Sequence, residues 1–357
     1  MKNIIRMSLV AGALVSSVAA QAQTAWTDKV TFGGDLRFRL NNIDDESVST
    51  EGTQTNNQIR GRLTVSGKVN DAMTANFRMA TVAGSNDYRS ANHTLGTTND
   101  DAGVVFELAY GDWRVMPGLV VSMGKAPNPF WQALKNEMLW DADLSFDGVT
   151  AKYTADMDTL KPFVNLSYTT LNDSGNTTSS ATLMGAQAGT SLGLGDKMNG
   201  TVAVGYHTFS TGAGTGALPV GALTKNPKLL DVTAELGLNM IANLPMSVGV
   251  DWVTNSEAVN DKEDQGFLAG IKVGQFANVG SWEAWYSYRD VASEALVGGL
   301  ADSEFAAGDG AGVLGHQVGA GYMAWDNTTV GLNYWMNKRA AAETDYTRLT
   351  ADLVWKF

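Results

Sequence analysis

Residues 346–357 read YTRLTADLVWKF, and the alternation in this stretch decides the fold. Leu349, Ala351, Leu353, Trp355 and Phe357 fall on one face, and Tyr346, Arg348, Thr350, Asp352 and Lys356 on the other. A period of two, apolar on one side and polar on the other, describes a β-strand lying between two different surroundings. A strand left at an open sheet edge exposes unpaired N–H and C=O groups. This one therefore needs a partner elsewhere in the chain.

The same pattern recurs upstream. KVTFGGDLRFRLN sets Val30, Phe32, Leu36, Phe38 and Leu40 against Thr31, Asp35, Arg37 and Arg39. NQIRGRLTVSGKV sets Ile59, Leu63, Val65 and Val69 against Arg60, Arg62, Thr64 and Lys68. The connections alternate too. Short ones fall at Asn70-Asp71, Asn243-Leu244-Pro245 and Trp325-Asp326-Asn327, whereas long polar ones fall near 42–56, 85–102, 127–145, 210–226 and 293–313. Strands are expected near 29–41, 57–69, 72–84, 103–114, 118–126, 146–156, 160–171 and 182–193, then 198–209, 228–241, 245–256, 265–276, 281–292, 314–324, 328–338 and 345–357. That makes about 16 strands, an even number, as in bacterial outer-membrane barrels.

Composition sets the surroundings. The 357 residues include no cysteine, so neither a disulfide framework nor a cysteine metal site is available. Mean hydropathy is −0.11, which at first sight describes a water-soluble chain. Yet MKNIIRMSLVAGALVSSVAAQAQ has a basic start (Lys2, Arg6), a short apolar run and small residues at Ala20-Gln21-Ala22. This is the form of a cleaved secretory signal over 1–22, with a single domain over 23–357. Its removal takes the formal charge from −12 to −14, so the exported chain is acidic and no nucleic-acid partner is expected. Beyond it no apolar run approaches the length of a membrane-spanning helix.

A soluble β-sandwich would also alternate. Against it stand the asymmetry of turns and loops and the arginines on the polar faces, which a sandwich core could not hold unpaired. Aromatic residues near strand ends (Tyr110, Trp113, Tyr168, Tyr206, Trp252, Trp282, Tyr288, Trp355) suit an interfacial girdle. Sheet structure inside lipid must close, so the last strand is expected to pair with the first.

With these residues on the page, the chain resembles Gram-negative outer-membrane porins, most closely the putative porin family. WTDKVTFGGDLRFR is similar to that family's first strand. AYGDWRVMPGLVVSMGKAPNPFWQALKNEMLWDADLSFDGVTAKY (109–153) is similar to its strand-turn-strand unit running into a pore loop. LVWKF, with Trp355 and Phe357, resembles the terminal signal read by the barrel-assembly machinery. The resemblance implies an all-β, transmembrane, antiparallel up-and-down barrel, with two further copies in a homotrimer, outer-membrane lipid and lipopolysaccharide as partners. It also implies that the third long loop, 127–145, folds into the lumen.

Alternation then says which side chains face that lumen. Arg or Lys facing lipid at the midplane costs about 2–4 kcal/mol, so the charged faces turn inward. This sets Arg37, Arg39, Arg60, Arg62, Arg78 and Arg348 on one basic wall, since the last strand neighbours the first. Glu137, Asp141, Asp143 and Asp147 form the expected acidic side on the inserted loop. A transverse field between the two would separate cation and anion paths, with bracing of the wall by internal ion pairs as the alternative.

The expected function is passive diffusion of small hydrophilic solutes and ions, weakly favouring cations, with no catalytic residue, cofactor or metal. A saccharide- or organic-anion-selective channel, a barrel enzyme and a plugged structural barrel are the alternatives. His93, His207 and His316 lack metal-ligand spacing. The stretch from Asp261 to Gly266 fails as a calcium loop because Lys272 stands where a glutamate is needed. Asp44, Asp45, Glu46, Asp302, Glu304 and Asp309 are expected on a solvated outer surface. Trp131 and Trp140 are read as loop packing, and Trp285 and Trp335 as packing or girdle residues, with stacking on sugar rings as the alternative.

Overall fold

The computed structural model describes residues 29–48, 53–82, 89–96, 101–172, 180–195, 197–210, 226–241 and 244–357. The expected signal, 1–22, lies outside the described residues. The strands, in chain order, are β1 (Val30–Asp45), β2 (Thr53–Lys68), β3 (Met73–Thr81), the two-residue β4 (His93–Thr94), β5 (Val104–Met116), β6 (Leu119–Pro127), β7 (Ser145–Thr154), β8 (Leu160–Asn172) and β9 (Ala181–Gly193). They continue as β10 (Met198–Ser210), β11 (Lys228–Ile241), β12 (Leu244–Asn255), β13 (Gln265–Gly274), β14 (Trp282–Val291), β15 (Val313–Trp325), β16 (Thr328–Arg339) and β17 (Thr344–Lys356).

Apart from β4, which bridges onto β2 from the loop after β3, these are sixteen long strands in one antiparallel sheet, each paired to its neighbours in sequence. β17 closes the barrel on β1, with Leu36 opposite Trp355, Arg39 opposite Asp352 and Asn41 opposite Thr350. Gly34 and Phe357 exchange two backbone hydrogen bonds, of 2.8 and 3.1 Å. Closure leaves no sheet edge in the hydrocarbon, which is the condition for β-structure to span it. No described helix is long and apolar enough to cross a membrane.

The expected strands are all present, and the largest departure is the first hairpin, which reaches further outward than 29–41 and 57–69. Polar cross-strand pairs extend it: Asn41 donates to Asn56 at 3.3 Å and Asn42 to Thr55 at 3.0 Å. The turns carry the conformations that their residues favour. Asn327, in the two-residue connection after Trp325, takes φ 54°, a left-handed geometry that asparagine tolerates.

Burial is inverted relative to a water-soluble protein. Phe32, Leu36 and Leu40 of β1 are exposed, while Arg39, Asn41, Arg348 and Thr350 are buried. The medium outside is lipid, so apolar side chains face out and hydrogen-bonding ones face in. Trp113, Trp282, Trp325 and Trp355 face out near the turn end, and Tyr168, Tyr206, Trp252 and Tyr288 near the loop end. Tyr110 leaves the expected girdle. It shares the inward parity of Asp112, which accepts a hydrogen bond from Ser122 at 2.6 Å.

The interior is not uniformly wet. Phe146 of β7, Leu183 of β9, Phe209 of β10 and Val253 of β12 turn inward and join loop residues such as Trp140 and Leu300 in one apolar cluster. Each large side chain so buried contributes about 1.5–3 kcal/mol. Two loops enter the barrel to build this cluster.

Candidate permeation pathway

The first inserted loop, 128–144, is the expected one. It crosses the inner wall from β6 to β13, held at each step by an inward polar side chain. Gln187 of β9 accepts from the Trp131 N–H and donates to the Trp131 carbonyl, both at 2.8 Å. Ala133 N–H donates to Thr233 at 3.3 Å, Leu134 N–H to Glu235 at 2.7 Å, and the Asn136 amide to Asp251 at 3.1 Å. At the tip Leu134 lies on Gly249 and Gly270, where a Cβ would come within 2.7 and 2.9 Å of its side chain. Those glycines let the loop approach the wall.

Returning, the loop lays Trp140 on Phe130, with ring centres 5.8 Å apart, and edge-on to His207 at 5.1 Å. His207 is fully buried and its Nε2 pairs with Asp231 at 2.7 Å. Its Nδ1 has no hydrogen-bond partner among the described residues, so no Ser–His pair of the kind a barrel hydrolase would need, such as one with Ser210 three residues on, is formed there. Among the described residues no group of His, Asp and Glu could hold a metal ion.

The second inserted loop, 292–312, was expected on the outside. Instead Leu296, Val297, Leu300 and Phe305 are buried inside the barrel. Phe305 lies under the Arg289 guanidinium, 4.0 Å from its ring centre, and clusters with Trp335. Asp302 pairs with Arg289 at 3.0 Å, both buried, and Glu304 reaches Arg39 and Arg348. Asp309 and Asp45 both bind Arg339. The solvated outer surface expected of Asp302, Glu304 and Asp45 is thereby corrected; Asp44, Glu46 and Asp309 are exposed, Asp309 while paired with Arg339. The signal was in the loop's own composition, since four large apolar residues in one segment have no reason to face water.

The two loops are tied to each other. Asp141 N–H donates to the Leu300 carbonyl at 2.9 Å, Asp302 N–H to the Glu137 carbonyl at 3.0 Å, and Ser303 N–H to the Asp141 carboxylate at 2.9 Å. Burial, then the neighbouring Asp302 and Asp141, push the Glu137 carboxyl well above the usual carboxylate range. Burial, then Asp143 and Asp302, raise Asp141 to about 8.

The six arginines come from the adjacent strands β1, β2, β3 and β17 and form a lattice of pairs. Arg39 grips Asp352 with two hydrogen bonds of 2.6 and 2.8 Å and also meets Glu304. Arg60 pairs with Asp35 at 2.8 Å, Arg62 with Asp143 at 2.7 Å and with Glu107, and Arg78 with Glu107. Arg348 donates to Asn41 at 2.9 Å and lies 3.4 Å from Glu304. Arg37 donates to the neutral Asn92. Six guanidinium groups thus meet five carboxylates: Asp35, Glu107, Asp143, Glu304 and Asp352. Burial works to raise the Glu304 pKa, but Arg39, Arg348 and Arg37 outweigh it and hold it at about 2.

The four loop acids do not assemble into one face. Asp143 touches the wall, while Glu137 and Asp141 turn towards the second loop. Asp147 stands outside the lumen altogether. β7 turns Phe146 and Thr150 inward, so Asp147 and Val149 point outward, and Asp147 pairs with Lys125 of β6 at 3.1 Å. The aromatic residues also divide. Trp140 and Trp335 are buried in packing, whereas Trp285 borders a cavity of about 300 Å³ beside the loop tip.

The chain matches the family model described as Putative porin over residues 42–236 and 229–357. No curated protein matches it in sequence. Among solved structures it is similar to Pseudomonas putida OprB, with 12% identity and a TM-score of 0.62, covering 96% of this chain and 97% of that one. A mutant of Rhodopseudomonas blastica porin is similar at 13% identity and a TM-score of 0.52, covering 92% and 100%, and a triple mutant of that porin gives the same figures. At such identities the likeness is one of fold.

Proposed function

Because this chain belongs to the putative porin family of Gram-negative outer-membrane barrels, we propose that it is a substrate-selective channel for small polar solutes. The porin-like barrel is suited to the passage of solutes or ions; selectivity is the further step. The observation that carries it is the apolar cluster inside the barrel, where two inserted loops join and narrow the lumen on the side of β7–β14. A lumen narrowed on that scale selects by fit and by side-chain contact, as a wide aqueous channel does not.

The wall chemistry supports the same reading. Guanidinium groups compensated by carboxylates sort charge weakly, because the field of each pair falls off faster than that of a lone charge. The weak cation preference expected from net charge finds no support in a wall of six arginines and five carboxylates. The reading extends to assembly as a homotrimer, to contact with lipopolysaccharide, and to recognition of Trp355 and Phe357 by the barrel-assembly machinery, all carried over from the family.

Single-channel recording of purified protein in a planar bilayer tests it, together with solute uptake into liposomes. We expect small discrete currents and uptake rates that differ among solutes of equal size. Rates ordered by size alone would show unselective diffusion, and folded protein without current would show a plugged barrel.

A further inference from the structure

The inward positions of β15 include Gly315, Gln317, Gly319 and Gly321, a strip with one side chain among four places. Trp285 of β14 stands directly opposite Gly319. A Cβ at Gly319 would lie 2.2 Å from the indole, so the ring packs against bare backbone and needs glycine there. The same indole borders the cavity of about 300 Å³, a volume at the lower end of small-molecule sites.

Register sets polar groups around this platform. Asn333 of β16 lies across Gly319, and Ser287 and Gln317 face each other one step along the barrel. The Asn333, Gln317 and Ser287 side chains line the cavity and make no side-chain hydrogen bond to any described residue. The two amides each hold paired donor and acceptor atoms. Charge at the rim is compensated: Lys272 pairs with Glu283 at 2.9 Å and Arg289 with Asp302. Of the cations bordering the cavity, Lys135 at the loop tip is left without a described partner.

We propose that this cavity is a binding subsite for a neutral pyranose sugar, stacked on Trp285 and held at its edge by Asn333, Gln317 and Ser287. The inference rests on the selective-channel reading and names its substrate class. A pyranose has an apolar face of axial C–H groups that fits a flat aromatic ring, and equatorial hydroxyls that reach sideways to amides. An organic anion would need uncompensated cations, and Lys135 alone offers little. An apolar solute would strand the amides without partners.

Saturation-transfer NMR on the detergent-purified barrel tests the subsite without relying on conduction. The probes are methyl β-glucoside and sorbitol, an acyclic polyol without a ring face. We expect transfer to the C–H groups of one glucoside face, and little to sorbitol. Trp285→Ala should weaken binding about two- to tenfold, and Trp285→Phe should retain much of it. Equal transfer to both probes, none with wild type, or wild-type transfer from Trp285→Ala with an intact barrel would each overturn the proposal. Bilayer currents recorded in parallel separate the two readings. Current without sugar transfer removes the subsite and leaves the channel, whereas transfer without current removes the channel.

Discussion

Asp302 gives its backbone N–H to the carbonyl of Glu137 across 3.0 Å, joining loops that leave the wall at β6 and β14. Around this bond, burial and mutual repulsion raise the Glu137 and Asp141 carboxyls above the usual carboxylate range, while Asp302 pairs with Arg289.

That joint is expected to weaken as pH rises. A carboxyl whose pKa is higher in the folded protein binds more protons there than in the unfolded chain, so its contribution is present at low pH and lost on deprotonation. For Asp141 the window runs from the usual carboxylate value near 4 up to about 8. Hydrogen exchange at the Asp141 and Asp302 amides should accelerate across it beyond the intrinsic rise. Glu137→Gln with Asp141→Asn should flatten the dependence. Protection independent of pH in wild type would refute the account.

Glu304 behaves in the opposite sense. Its pKa of about 2 keeps it ionised at any ordinary pH, and its contribution is lost only as pH falls from near 4 through 2. Glu304→Gln leaves Arg39 and Arg348 short of one carboxylate. Reversal potentials in a salt gradient should shift towards anions. An unchanged potential would mean that this lattice does not face the conducting path.

Among the wall arginines Arg37 is expected to matter most for ion selectivity, because its described partner is neutral. Arg37→Ala should shift the reversal potential towards cations by more than Arg60→Ala combined with Asp35→Asn, which removes a charge-balanced pair. A larger effect from the double variant would reverse this ranking.

Trp140 fastens the first loop to the wall. Trp140→Ala removes contacts with Phe130, Phe146, Phe209 and His207, at a cost of about 3–5 kcal/mol to loop docking. Because the strands do not depend on it, the barrel should still show its folded mobility on gels while single-channel conductance rises. Unchanged conductance would place the loop away from the narrowest point.

Sequence alone carried much of the architecture. Alternation in stretches such as YTRLTADLVWKF is local, so the strands and the inward parity of Arg39 or Arg348 could be read directly. Asp147 went astray by one position of register. Once Ser145 begins β7, Phe146 takes the inward place and its neighbour must point out. The pairing of Arg39 with Glu304 joins residues 265 apart and leaves no local trace. The second loop escapes any reading of loops as polar by position, although Leu296, Val297, Leu300 and Phe305 spell out a buried segment.

The cluster around Trp140 also fixes an order of events. In a water-soluble domain, collapse of apolar side chains can lead folding. Here Phe146, Leu183, Phe209 and Val253 come from strands that must already be aligned before the loops have anywhere to insert. The apolar interior is then the final stage of assembly, and until the cylinder is built these loops present sticky surface to the periplasm. Tryptophan emission reporting on Trp140 should lag behind the appearance of β-structure during refolding into lipid.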